Sequence, residues 1–213
     1  MYHTEAFILK REEWGEADLL VTALTADFGK IRLLAQGARK HGAKLQGHIE
    51  PGSQSYLSFV IGRNGYRLTT AHLQEFFPEI RRSLSKLRAA SSALRFIDAN
   101  VFEERDQAIK LFEILKSALA AIEAARRRGE LIRISAWFHV RCFAFLGLLP
   151  AAESLEARHA NAILAIGSLP LSDIERIRAR EETIASELAR LANHLESSGT
   201  LLGPVERGNF ALY

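Results

Sequence analysis

The stretch SYLSFVIGRNGYRLTTAHL, residues 55–73, decides the fold of the N-terminal half. Leu57, Phe59 and Ile61 alternate with Tyr56, Ser58 and Val60, the two-residue period of a strand with one face buried. Gly62-Arg63-Asn64-Gly65 follows, and an Asn-Gly pair between two such runs is a strong hairpin signal because both residues accept positive φ. Tyr66–Leu73 is then the return strand. Toward the N-terminus lie three more short β-rich runs, Glu5–Lys10, Leu19–Thr25 and Lys30–Ala35, with Asp27-Phe28-Gly29-Lys30 turning between the last two. Five short strands in about 75 residues fit a small closed or partly closed barrel better than an open sheet.

After Pro78 the period becomes helical. Arg81 to about Phe102 places Leu84, Leu87, Leu94 and Ile97 at helical spacing, with basic residues on the remaining face. Asp106–Arg128 repeats Ala108, Phe112, Leu115, Leu119 and Ile122 at steps of three and four, and Gly129 is expected to stop it just after the cations Arg126, Arg127 and Arg128. Leu131–Leu149 is apolar nearly all round, as a central buried helix is, and ends before Pro150. Ser172 and Glu175 form a capping-box pattern for a short helix. Ile184, Leu188, Leu191 and Leu195 make a last stripe closed by Gly199, and the residues from Thr200 onward read as a tail. The expected class is α+β: a five-stranded barrel over residues 1–79 and an all-α helical domain over residues 80–213.

Charge adds a function to this frame. Between Asp27 and Glu50 stand Lys30, Arg32, Arg39, Lys40 and Lys44, with His41 and His48 and without one carboxylate, while Gly29, Gly37, Gly42 and Gly47 punctuate the run. Positive charge on a glycine-marked loop suits a phosphate backbone, because each Lys or Arg set beside a phosphate releases condensed counterions. Whole-chain numbers conceal it: the net charge is +3, and residues 1–80 hold nine Lys/Arg against nine Asp/Glu. The ordinary alternative is a solvated connection that happens to lack acids. No apolar run approaches the roughly 20 residues of a membrane span. Acids and bases interrupt the N-terminal MYHTEAFILKREEW, which argues against an export signal. Cys142 is the only cysteine, which excludes an internal disulfide and any CxxC zinc knuckle. A cytoplasmic protein is expected.

Several small motifs then fall in order over about 50 residues: Trp14-Gly15-Glu16-Ala17-Asp18, Val21-Thr22-Ala23-Leu24-Thr25, Phe28-Gly29-Lys30, Ala35-Gln36-Gly37-Ala38-Arg39-Lys40 and Gly47-His48-Ile49-Glu50-Pro51. In this order the chain resembles the RecO family of recombination mediators. Ala136-Trp137-Phe138 through Phe145-Leu146-Gly147-Leu148-Leu149-Pro150 is similar to the central helix of that family's second domain. The resemblance implies an N-terminal OB-fold and a C-terminal helical domain that bind single- and double-stranded DNA and anneal complementary strands without catalysis. It further implies contacts with RecR and with the C-terminal tail of the single-stranded DNA-binding protein, assistance to RecA loading, and a place at the nucleoid. Departures are visible. The span from Pro150 to Pro170 lacks the four cysteines of the zinc site found in many members, so no metal or other cofactor is expected. A basic-serine-basic run is replaced by Lys40-His41-Gly42-Ala43-Lys44, and Gly52 follows Pro51 where an aromatic residue is common.

On this reading Arg39, Lys40 and Lys44 contact phosphates along the barrel. Lys30 and Arg32 alternate on the third strand and project from one face, either toward the same groove or merely to charge a strand edge. Phe59 belongs to the core by register, whereas Tyr56 and Tyr66 are open to either core packing or base stacking. Gly15, Glu16 and Asp18 are assigned to backbone geometry rather than chemistry. In the helical half Arg81, Arg82, Lys86, Arg88 and Arg95 form an acid-free run, a second DNA surface or a seat for the acidic tail, unless it is a solvated face. Arg141, within an apolar helix beside Trp137, requires an anion or a carbonyl and is a candidate partner contact. Enzyme readings find little: no GxSxG, Walker or GxGxxG motif occurs, and His3, His41, His48 and His72 have no metal-ligand spacing. The competing class is a protein-interaction adaptor whose barrel does not bind DNA.

Overall fold

The computed structural model describes residues 1–63, 65–101, 108–149, 166–176 and 181–197. Five strands, β1 (Tyr2–Trp14), β2 (Asp18–Thr25), β3 (Gly29–Ala35), β4 (Gln54–Gly62) and β5 (Gly65–Glu75), close a barrel in the order β1-β2-β3-β5-β4. β1 pairs antiparallel with both β2 and β4, and the barrel is sealed by a short parallel contact, Leu33 with Tyr66 and Leu34 with Arg67. This is the five-stranded arrangement of an OB-fold. Ala6, Ile8, Val21, Ala23, Ile31, Leu33, Leu57, Phe59, Leu68 and Ala71 fill the interior. Phe59 is its largest member and packs against the rings of Tyr2, Phe28 and Tyr66 at centroid separations of 5.5, 5.3 and 5.1 Å. Tyr66 is thereby a partly buried packing residue, whereas Tyr56 faces solvent.

The strands run further than the apolar alternation marks. β1 continues through Arg11–Trp14 because, after a bulge between Ile8 and Lys10, the ladder to β2 runs in register from Lys10 down to Trp14 opposite Asp18. Ile61, expected on the buried face of β4, is 63% exposed. The alternation itself holds on β4, since the bulge opposite Ser58–Phe59 places its extra residue, Thr69, on β5; Ile61 is exposed because it stands at the hairpin end, where Gly62, Arg63 and Gly65 are exposed too. Asn64 of that turn lies outside the described residues.

Val101–Glu113 belongs to the same compact unit as Met1–Phe77. The reason is legible in burial. Phe7 and Leu24 face each other across β1 and β2 on the outside of the barrel, yet neither is accessible. The Phe112 ring of α3 (Ala108–Ala124) lies 4.9 Å from that of Phe7, so Phe112 covers part of the outer wall.

Pro78–Asn100 and the residues from Ile114 onward form the second unit. The single helix expected from Arg81 is two, α1 (Pro78–Arg82) and α2 (Leu84–Asn100). Ser83 divides them as an N-cap: its Oγ accepts the Lys86 N–H at 3.5 Å and its carbonyl the Leu87 N–H at 2.8 Å. The Glu123 carboxylate caps α1, accepting the Glu79 and Ile80 N–H groups at 2.9 and 2.8 Å. Leu94 and Ile97 are buried as expected, but Leu84 and Leu87 are exposed.

Phe112, Leu115, Leu119 and Ile122 are all buried along α3, whose expected start at Asp106 lies outside the described residues. Gly129 does not end that helix; it sits in the first turn of α4 (Arg128–Phe145), against the Glu181 carboxyl group. Glu130 accepts the Arg126 N–H at 2.8 Å, and that backbone bond holds its carboxyl below the ordinary range. α4 is buried nearly all round and stops at Phe145 rather than Leu149. Gly147, at φ +69°, turns the chain; its N–H bonds Ala144 O and the Leu148 N–H bonds Phe143 O, a Schellman motif. Around Ser172 the chain forms a 3-10 turn, Leu171–Arg176, and the Glu175 side chain lies outside the described residues. α5 (Glu181–Ser197) buries Ile184, Leu188, Leu191 and Leu195; Gly199 and the tail are not described.

Candidate nucleic-acid interface

The basic residues on the barrel owe their positions to two turns. Between β2 and β3, Thr25 Oγ1 donates to Gly29 O at 2.8 Å and accepts the Phe28 N–H at 2.9 Å, while Gly29 takes φ +73°. That fixes the phase of β3: Gly29, Ile31, Leu33 and Ala35 are buried, and Lys30, Arg32 and Leu34 lie on the outer face. Arg32 is exposed and has no partner among the described residues; Lys30 is half-buried. β3 is not a free edge along its whole length, since Leu33 and Leu34 meet β5.

The loop after β3 is anchored by the motif that opens β2. Asp18 Oδ1 accepts the Gly37 N–H at 2.7 Å, and Ala17 O accepts the Arg39 N–H at 2.9 Å. Gly37 has φ +68°, which favours glycine there. The loop then proceeds by turns, with Lys40 N–H to Gly37 O and Ala43 N–H to Lys40 O both at 3.0 Å, pinned by the buried side chains of Ala38 and Ile49. Asp18 is therefore a structural tie for the basic loop.

The five cations of this region are not equivalent. Arg39 is drawn back onto the β1–β2 turn, 3.1 Å from Glu13 Oε2 and 3.4 Å from Gly15 O, with its side chain 32% exposed. Lys40 and Lys44 are exposed and have no partner among the described residues. The structure also sets Arg67 on the same outer face. It pairs with Leu34, two residues from Arg32, and its guanidinium reaches Gln36 Oε1 at 3.5 Å. Arg63 is exposed beside the β4–β5 turn. Sequence reasoning missed both arginines because it sought density of charge along the chain, whereas β5 lies beside β3 only in the closed barrel. The phase of β5, which alternates apolar Tyr66 and Leu68 around Arg67, was the available signal.

In the helical unit the acid-free run is largely engaged. Arg82 pairs with Glu79 at 2.7 Å, and Lys86 Nζ donates to Glu123 O at 2.6 Å. Arg81 is half-buried and Arg88 exposed, next to exposed Leu84 and Leu87. Arg141 and Trp137 converge on one internal acceptor: Arg141 Nη2 and Trp137 Nε1 donate to Leu169 O at 3.3 and 3.0 Å, with the guanidinium carbon 5.6 Å from the indole centroid. A carbonyl thus serves one guanidinium nitrogen, while the buried Arg141 Nε has no partner among the described residues. Cys142 is fully buried and its thiol is pushed well up by burial, which keeps it protonated. His139, also buried, is held neutral by burial, its pKa lowered to about 4. Among the described residues no group of three or more His, Cys, Asp or Glu is placed to hold a metal ion, and no helix is long and apolar enough to cross a membrane.

Arg32, Lys40 and Lys44, exposed and without an acidic partner among the described residues, suit diffuse contact with a polyanion backbone. Residues 1–77 match the family described as Recombination protein O N terminal. Over 124 residues the chain is 40% identical to the DNA repair protein RecO of Roseiflexus sp. strain RS-1, covering 58% of this chain and 43% of that protein. It is 33% identical over 154 residues to the DNA repair protein RecO of Syntrophus aciditrophicus strain SB, covering 71% and 58%, and 37% identical over 122 residues to that of Gloeothece citriformis strain PCC 7424, covering 57% and 43%. The matched stretch spans about half the length of these curated relatives.

Proposed function

Because residues 1–77 belong to the RecO N-terminal family, and similarity to RecO proteins extends over more than half of the chain, we propose that this is a DNA-binding recombination mediator acting in repair. The observation that carries the reading is the barrel's outer wall, where Arg32, Lys40 and Lys44 stand exposed without carboxylate partners among the described residues. Backbone phosphates from two strands are neutralised on this wall, with Lys30 and Arg67 alongside. Neutralisation lowers inter-strand repulsion and raises the local concentration of complementary strands, so pairing proceeds without nucleotide hydrolysis. Residues 1–79 would act as the nucleic-acid-binding domain and residues 80–213 as a helical domain without a zinc site. Binding is then sequence-tolerant and steeply salt-dependent.

Partner roles belong to the same proposal: RecR, the acidic tail of the single-stranded DNA-binding protein, RecA loading through them, and action in the cytoplasm at the nucleoid. Exposed Leu84 and Leu87 beside Arg88 combine an apolar seat with a cation, which is what an acidic tail ending in an aromatic residue requires. Trp137 and Arg141, turned onto Leu169 O, serve that tail less well as they stand. Arg39 contributes to DNA less than Lys40 and Lys44, since binding must first loosen it from Glu13.

The test is annealing of two complementary oligonucleotides, followed by fluorescence transfer, with wild type and with an Arg39→Glu/Lys40→Glu/Lys44→Glu variant. The expected result is acceleration by wild type and its loss in the variant. Equal acceleration by both proteins, or none by either, favours the adaptor reading.

A further inference from the structure

The barrel also carries a row of exposed rings that the phosphate contacts leave unused. Tyr56 on β4 stands opposite Glu5 on β1 and opposite His72 on β5. His3, two residues along β1, stacks nearly parallel to Tyr56, with centroids 6.2 Å apart and planes 9° apart. Its Nδ1 lies 2.9 Å from Ser58 Oγ, which fixes the ring's orientation. On the far side the His72 ring is 6.4 Å from His48, and His48 Nδ1 accepts the Leu73 N–H at 3.2 Å. His3, Tyr56 and His72 are all exposed, Tyr56 to 40%. Strand register and side-chain bonds, rather than burial, hold these rings in a line across three strands. Preset rings on a sheet surface are what unpaired bases stack upon, because every base has a π-face.

Charge gives the row a direction. Along β5 the same outer face leads from His72 back to Arg67, five residues or about 16 Å away, and Arg67 neighbours Arg32 through Leu34. At the ring end the Glu5 carboxylate, bonded by Gln54 Nε2 at 3.0 Å, disfavours phosphate. Backbone is thus drawn to one end and bases to the other. We infer that a single-stranded nucleic acid runs along the outer face of β5, with unpaired bases stacked on His3, Tyr56 and His72 and the phosphates of nucleotides two or three further along the strand reaching Arg67 and Arg32. This rests on the nucleic-acid reading above and adds to it a site for unpaired bases.

The experiment compares binding of the full chain to a labelled oligothymidylate, to an abasic oligomer of equal length and to a duplex, by fluorescence anisotropy. Three proteins are used: wild type, Tyr56→Leu/His72→Ala, and Tyr56→Phe. Loss of two stacking surfaces should weaken oligothymidylate binding by about thirtyfold or more while leaving the abasic oligomer and duplex unchanged, and Tyr56→Phe should behave as wild type. Photo-crosslinking of an oligomer carrying 5-iodouracil, mapped by mass spectrometry, should mark Tyr56 or His72. An unchanged oligothymidylate affinity in the double variant, an equal loss on all three ligands, or cross-links only at Trp14 and elsewhere overturns the inference. If those results accompany binding that Arg32→Ala/Lys40→Ala/Lys44→Ala abolishes, the function proposed above stands and only the base platform fails. A wild type that binds no oligomer defeats both.

Discussion

Replacing Asp18 with alanine removes the tie that holds the basic loop against the barrel. Its Oδ1 takes the Gly37 N–H at 2.7 Å, and the adjoining Ala17 O takes the Arg39 N–H at 2.9 Å, so the β1–β2 turn grips the loop by two bonds. A hydrogen bond to a charged group contributes about 1.5–3 kcal/mol, and half-exposure of both residues places this one near the lower figure, about 1.5 kcal/mol. The neighbouring Arg39–Glu13 pair, with Glu13 73% exposed, contributes less than about 0.5 kcal/mol. In a chain of this size each kcal/mol moves the melting temperature by roughly 2–4 °C. Asp18→Ala should therefore lower Tm by about 3–6 °C and Glu13→Ala by about 2 °C or less. Amide exchange at Gly37 should quicken roughly tenfold in Asp18→Ala, the factor that about 1.4 kcal/mol represents. Equal melting temperatures in the two variants, or unchanged Gly37 exchange in Asp18→Ala, would refute the assignment of Asp18 as the tie.

His139 makes the helical unit sensitive to acid. Its folded pKa is lowered to about 4 from an ordinary 6.5, so between these values the unfolded chain takes up a proton that the folded chain refuses. Stability from this group is full above about pH 6.5 and falls by about 3 kcal/mol toward pH 4; urea titrations across that range should show the slope, and His139→Gln should flatten it. Gly147→Ala should cost about 1 kcal/mol through backbone strain alone, because φ is +69° and nothing lies within 4 Å of an added Cβ. Gly167→Ala meets Val140 Cγ1 at 2.8 Å and should cost about 1–3 kcal/mol, a loss that Val140→Ala relieves if crowding is the cause. Phe112→Ala empties the cover over Phe7 and should destabilise the barrel unit by about 3–5 kcal/mol in chemical unfolding, with Phe7 becoming accessible.

Much of the barrel was legible because its signals are local. Alternation, an Asn-Gly turn and glycines at positive φ are written within ten residues of the strands they shape. The exposed face of β3 followed from a two-residue period alone, and so did the burial of Phe59. What failed was set by partners distant in sequence. Ile61 looked buried, but it stands at the end of the hairpin, where the barrel leaves it uncovered. Ser83 interrupted a helix that periodicity had run straight through, and Gly129 began a helix instead of ending one. The engagement of Arg39 by Glu13, of Lys86 by Glu123 O and of Arg141 by Leu169 O appears only once strands and helices meet. Charge density along the chain identified the loop but could not rank its cations, and it passed over Arg67, which joins the cluster through a strand contact made by closure.

The central claim is that Arg32, Lys40 and Lys44, exposed and without acidic partners among the described residues, bind backbone phosphate by releasing cations from it. Its most direct test is the salt dependence of affinity for a single-stranded oligonucleotide, measured on wild type and on Arg32→Ala/Lys40→Ala/Lys44→Ala with folding checked by Tm. Each phosphate on a single strand contributes about 0.7 to the log–log slope, so the triple variant should be shallower by about 2. Slopes that coincide in the two folded proteins would contradict the account.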